Sequence, residues 1–399
     1  MYFYRRDTTA SVNHHKIKFW FVYLIAVIFN FHTMLVSYTT PTYLEGFVDA
    51  KHIGLLYSVG SIGSLLFFIF LPNILKRLGN FLVTIGLMMM TIITLALIGG
   101  GFSPTFVILG SIVFLVINPL IYLNIDIFSE TLIGKHEGAT GHVRGLTLSL
   151  MSLAALLAPL TIHYVVGASN NLSQLYFISI GVGALFILIV MSQFRKFIDP
   201  VYHRIHLKPL FRQCWHNRAI KLVLGTHFLL QIFFTWTVIY FPLYLASEIG
   251  LPWSSIAQII AAGLLAYVLC EYYIGILADN YIGEKEMMAL GFVILALTVS
   301  CISFMTTTAL LPWMLLMFTS RVGASLVEVT TESYFFKKVD GEDANLMSVF
   351  RITRPLAMLV GSLLGSLCLA YMPFNLAFIV LGFVMVIGIF LTLGIEDTR

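Results

Sequence analysis

The sequence predicts an all-α integral membrane protein, twelve transmembrane helices in two parallel six-helix repeats, and three observations carry that prediction. The composition is wrong for a chain dissolved in water: 59% of the 399 residues are hydrophobic and 11% are charged, where soluble domains carry about a quarter charged. Mean hydropathy, +0.93, agrees. The apolar residues gather into twelve runs near the length of roughly 20 residues that crosses a bilayer core. The two halves also repeat one another. Pro41, Tyr43 and Leu44 of PTYLEG return as Pro242, Tyr244 and Leu245 of PLYLAS, and the acidic pair Asp126 and Glu130 returns as Glu328 and Glu332. A pattern recurring at nearly one offset marks an internal repeat, and an even number of spans per repeat makes the two parallel.

In chain order the runs cover 18–40, 50–71, 81–101, 105–129, 144–167, 174–194, 219–246, 253–277, 287–307, 310–334, 345–371 and 373–395. Only helices and closed barrels satisfy their backbone in lipid, and no ten-residue alternation of a barrel strand is present. Residues 1–17 read as a tail, 18–194 as a six-helix domain, 195–218 as a linker, 219–395 as a second six-helix domain and 396–399 as a second tail. The linker is assigned on six basic residues and on Pro200 and Pro209. With the N-terminus inside, loop lysines and arginines fall on the cytoplasmic side except Lys51, so both termini are expected in the cytoplasm. The expected location is the plasma membrane, the inner one in a bacterium. The N-terminal residues show no signal-cleavage pattern.

Several classes are excluded by what the chain carries. A net charge of +4 with dispersed basic residues does not suit nucleic acid. Cys214, Cys270, Cys301 and Cys368 form no CxxC pair, so no metal site is expected. His203, His206 and His216 read as a solvated basic loop. No phosphate-cradling glycine loop appears, and no cofactor is expected.

After the eighth run comes GILADNYIGEK, residues 275–285. It resembles the loop motif of the major facilitator superfamily, G-x-x-x-D-R-x-G-R-K, through Gly275, Asp279, Gly283 and Lys285. The matching first-half loop, PNILKRLGN, keeps Arg77 and Gly79, while Pro72 and Lys76 replace its usual glycine and acid. Arg144 and Gly145 opening the fifth span extend the resemblance. It implies two six-helix bodies rocking about a central site, with these loops as gating elements. Pro159 stands where drug antiporters of the family carry a Gly-Pro-rich motif, but its flanking glycines are absent, and the sugar-porter motifs are missing too.

The same resemblance implies that spans one, four, seven and ten line a central cavity. The polar residues at mid-depth there are Asn30 and His32, Asn118, Gln231 and Thr235, and Arg321; these are the candidate cargo ligands. A charge network is expected from Glu271, Glu328, Glu332, Arg351 and Arg354, with Asp126, Glu130 and Arg144 as the first-half counterpart. Positions 321, 325, 328 and 332 share one helix face, and a charge at mid-membrane costs about 3 kcal/mol on insertion scales unless it finds a partner. Arg321 therefore needs an anion, either Glu271 or a group on the cargo.

These readings point to a secondary active transporter of a small organic solute, coupled to protons or another ion, monomeric in the bilayer and not an enzyme. Two other classes compete. A lipid-dependent transferase in the membrane needs catalytic residues gathered in a large loop. A transporter-derived receptor or scaffold needs no coupling carboxylates.

Overall fold

The computed structural model describes residues 3–4, 20–133, 140–167, 171–202, 217–338 and 344–396. Among the described residues, eleven helices are long and apolar enough to cross a bilayer. One of them, Ala50–Gly100, has 51 residues. At 1.5 Å per residue that is over twice a hydrocarbon core of about 30 Å. It is two spans joined where Gly79 leaves helical geometry (φ 78°, ψ 158°).

Twelve spans follow among the described residues. Span one is Trp20–Ser37, continued by the short helix Thr40–Glu45. Spans two and three are the two arms on either side of Gly79. Spans four to six are Pro104–Ile133, Thr140–Val166 and Ser173–Gln193; spans seven to nine are Arg218–Ser247, Trp253–Asn280 and Glu284–Ile302; spans ten to twelve are Leu310–Lys338, Ala344–Tyr371 and Phe374–Leu393. Spans two and ten outrun their apolar runs by a turn or more, because hydropathy marks the lipid core and not the helix end. Span four passes unbroken through Pro119, as prolines in membrane helices do where neighbouring groups take up the freed carbonyl.

Contacts divide the chain into two compact units. The first comprises the described residues of Met1–Thr40, Val59–Thr161 and Asn171–Ile205; the second, those of Pro41–Ser58, Ile162–Asn170 and His206–Arg399. The first is centred on Val22, Ile25, Phe29, Ile121, Phe128 and Phe186, with Tyr122 edge-on to Phe29 at 4.7 Å. Its chain ends meet in a two-residue antiparallel pairing of Phe3–Tyr4 with Val201–Tyr202. The second is centred on buried aromatic residues, Trp236, Tyr240, Tyr244, Trp313 and Phe378. The start of span two joins it through Ser58, whose Oγ lies 2.8 Å from Ser362 Oγ. Phe70, Leu188, Leu297, Phe383 and Phe390 stand exposed, a placement that suits lipid and not water.

Candidate functional site

In the first unit the mid-depth polar residues tie helices together. Asn30 Nδ2 donates to the Met151 carbonyl (2.6 Å), and Tyr122 Oη donates to Asn30 Oδ1 (2.7 Å). One amide thus joins spans one, four and five. Asn118 Nδ2 donates to Thr33 Oγ1 at 3.2 Å, again between spans one and four. His32 is fully buried and faces span six: its Nδ1 lies 2.8 Å from the Ser179 carbonyl, and Ser179 Oγ donates back to the His32 carbonyl at 3.0 Å. Asp126 is half-buried on span four. The side chains of Glu130 and Arg144 lie outside the described residues.

In the second unit the amide of Gln231 belongs to a directed chain of hydrogen bonds between spans seven and eleven. Arg354 Nε donates to Gln231 Oε1 (3.3 Å), and Gln231 Nε2 meets His227 Nε2 (3.1 Å). His227 Nδ1 meets Thr353 Oγ1 (2.6 Å), which donates to the Phe350 carbonyl (2.6 Å). Arginine has only donors, so the direction propagates: Gln231 Nε2 donates to His227 Nε2, which leaves His227 neutral with its proton on Nδ1. Phe350 stacks on the imidazole at 3.8 Å. Thr235, one turn on, donates to the Gln231 carbonyl (2.9 Å) and faces Gly361 of span eleven. His227, one turn before Gln231 and noted in the sequence as a shallower polar residue of span seven, joins the site here, and Thr353 is a member that counting along single spans missed. Thr353 is an ordinary polar residue until the two helices meet.

Arg321 is 3% exposed on span ten. Its guanidinium carbon lies 5.3 Å from the ring centre of Phe233, 5.7 Å from that of Phe234 and 6.0 Å from that of Tyr267. At such distances, near the outer limit for a cation over a ring, each contact contributes roughly 0.5–1 kcal/mol. The aromatic setting offsets part of the cost of the buried charge. Sequence reading found the arginine and missed the rings, since aromatic residues are common throughout an apolar chain. The anticipated pair with Glu271 is not formed: no carboxylate among the described residues comes within 4.0 Å of Arg321. Glu328 lies in the electrostatic reach of Glu332, Glu271, Arg354 and Arg321. Among the described side chains, three carboxylates therefore share a neighbourhood with two cations. The side chain of Arg351 lies outside the described residues.

The two loops expected to act as gating elements differ in construction. After span two the exposed Lys76 and Arg77 lead to Gly79, and the carboxylate of Asp199, from the start of the linker, takes the place of a loop acid. Asp199 Oδ1 accepts from the backbone N–H of Asn80 at 2.7 Å, the first free N–H of span three, where a helix N-terminus favours negative charge. A Cβ on Gly79 would lie 2.6 Å from Asp199 Oδ2. Tyr202 Oη donates to the same carboxylate, and burial together with that negative charge raises the phenol's pKa above its ordinary value. After span eight, Gly283 takes φ 106° and Glu284 opens span nine, buried and ion-paired with Lys337 of span ten. Ser333 Oγ also donates to it, at 3.3 Å. Gly275 lies against Val329, Lys285 is half-buried, and the side chain of Asp279 lies outside the described residues.

Residues 223–398 match the sequence pattern of the Major Facilitator Superfamily. None of the curated protein sequences matches. Among solved structures, a point mutant of the nucleoside transporter NupG is similar in fold, with a TM-score of 0.73 at 15% identity over 93% of this chain and 99% of that one. NupG without the mutation gives 0.70 at 14% identity over 94% and 98%. Likeness at that identity is a likeness of fold.

Proposed function

We propose that this chain is a Major Facilitator Superfamily protein, a reading supported by its fold and by the sequence of its second half, and that it is a secondary active transporter that moves a small organic solute by alternating access, coupled to protons. The division into six-helix domains at residues 195–218, a plasma-membrane location and cytoplasmic termini belong to the same proposal. The observation that carries it is the cluster on spans eight, ten and eleven: Glu271, Glu328 and Glu332 with Arg354 and Arg321. Ionisable groups inside membrane spans are costly and cluster on ion and substrate pathways. Charge counting among the described groups leaves one acid in excess, and a proton that comes and goes on that acid is the simplest coupling device. Asp279 and Gly283 after span eight, with the Asp199-capped loop after span two, are the proposed gating elements.

Apart from the linker at 195–218, the connections between spans are short, which gives a transferase little room to gather its catalytic groups. A scaffold has no use for the carboxylate cluster.

The test begins with a thermal-shift screen of purified protein against a metabolite library at two pH values, since a ligand of the native state raises the melting temperature. Hits then go to proteoliposomes. Wild type accumulates the solute against its gradient when a pH gradient is imposed. Glu328→Gln loses accumulation but keeps solute exchange at equilibrium, which needs no net proton movement. Full pH-driven accumulation by folded Glu328→Gln would remove that carboxylate from the coupling.

A further inference from the structure

We propose that the cargo is anionic, a carboxylate or phosphate on a flat apolar body, and that Arg321 is the group that binds it. The inference rests on the transporter reading above and adds the class of solute. Arg321 keeps its proton in any protein environment, so its charge must be met rather than shed. It is 3% exposed, and its Nε has no hydrogen-bond partner. No carboxylate among the described residues approaches to ion-pair distance. Glu328, two helical turns along span ten, reaches it only through the longer-range field.

The surroundings fix the side chain without neutralising it. Gly263 on span eight allows the close approach: a Cβ there would stand 3.1 Å from Arg321 Cγ and 2.7 Å from Met317 Cγ. The stem is thereby held against span eight, and the guanidinium is left among the rings of Phe233, Phe234 and Tyr267. Rings are uncharged, and they offset only part of the penalty. A planar guanidinium whose Nε lacks an acceptor is built to donate two parallel hydrogen bonds to a carboxylate or phosphate. Phe234 and Tyr267, edge to face at 6.4 Å, supply an apolar flank for a flat body attached to that anion. An uncharged solute could accept a hydrogen bond from the guanidinium but would leave its charge unneutralised.

The experiment uses full-length purified protein and two probe pairs matched except for charge: benzoate with benzamide, and uridine monophosphate with uridine. Binding is read by thermal shift and intrinsic fluorescence at about pH 7.5, well above the titration of a carboxylic acid. In at least one pair the charged member should bind about tenfold tighter, the scale of a charge-assisted double hydrogen bond. Arg321→Gln should abolish that preference. Arg321→Lys, which keeps the charge and loses the fork, should weaken it severalfold. Phe234→Leu should lower affinity for both members and leave the charge preference in place. The proposal is overturned if neither anion binds, if the neutral member of each pair binds as tightly as the charged one, or if folded Arg321→Gln keeps the preference. Should the Arg321 variants fail to fold, the wild-type pairs and Phe234→Leu still decide it. Loading the same probes into proteoliposomes separates the two readings. An anion that binds but never crosses removes transport and leaves the site standing, whereas a neutral solute carried without anion binding does the reverse.

Discussion

The loop after span two and the loop after span eight occupy equivalent places in the two repeats, and they reach the same local geometry by different means. Both turn on a glycine with positive φ, Gly79 at 78° and Gly283 at 106°, and both set a carboxylate at the start of the helix that follows. In the second half that acid is internal: Glu284 lies next to the turning glycine, is buried, and is paired with Lys337. In the first half the loop carries Lys76 where an acid is usual, and Asp199 arrives from the linker to meet the N–H of Asn80. A helix N-terminus with a glycine turn has space and potential for an anion, and the chain fills that place from wherever an acid is within reach. The repeat therefore preserves a site more faithfully than it preserves the residue that fills it.

The strongest way to break this comparison is to remove the cation on the second-half side. Lys337→Ala takes away the cation paired with the buried Glu284, while the hydrogen bond from Ser333 stays in place. Stranding one member of a buried pair costs about 3–5 kcal/mol; the half-exposed lysine reduces this to about 2–3. The expected result is a fall of several degrees in apparent melting temperature, and an unchanged value would mean that the pair contributes nothing. Lys337→Arg should restore most of the loss.

The first-half loop is tested next, at Gly79. Alanine there meets both a left-handed backbone, a cost of about 1–2 kcal/mol, and Asp199 Oδ2 at 2.6 Å. The two contributions separate in a double-mutant cycle. Gly79→Ala should cost less when Asp199 is already alanine, by about 1 kcal/mol, measured as the difference in melting shifts. Strict additivity would show that the linker carboxylate and the loop do not bear on one another.

The smallest expected effect sharpens the first-half arrangement. The phenol of Tyr202 has its pKa raised by burial and by Asp199. In the unfolded chain it ionises near 10.0, the ordinary value, while the folded chain still holds the proton. Stability from this group is thus complete below pH 10 and declines as pH climbs beyond the unfolded value. Tyr202→Phe should flatten the alkaline limb of stability against pH and, by removing the hydrogen bond to Asp199, lower the neutral plateau by about 1 kcal/mol or less. Identical alkaline limbs would remove Tyr202 from contact with Asp199 in solution.

The candidate site was legible in proportion to how unusual its residues are in lipid. Arg321, Glu271, Glu328, Glu332 and Arg354 stand out of an apolar sequence because charge there is expensive, and finding them needed no more than that. Direction and partnership were not legible. Gln231 and Asn30 sit at corresponding positions, yet Gln231 relays hydrogen bonds from Arg354 to His227 while Asn30 ties three helices together. An amide donates and accepts equally well, so its role is set by its neighbours.

By itself, the sequence determined that the chain crosses a membrane, how many times, and which spans carry charge. Each of these follows from one-dimensional quantities: the length of an apolar run, the position of a glycine or proline, the cost of a charge in hydrocarbon. Gly79 could be assigned to a turn in this way even though the helix geometry on either side is nearly continuous. Only the tertiary structure decided what meets the charges. Asp199 and Asn80 are far apart in sequence, as are His227 and Thr353, or Arg321 and the rings of Phe233 and Tyr267. No periodicity along one helix records which face of another it will touch, because that is set by the fit of small residues such as Gly263 against Met317. Packing of that kind is a property of pairs of helices, and it left Arg321 buried against aromatic faces rather than paired with Glu271.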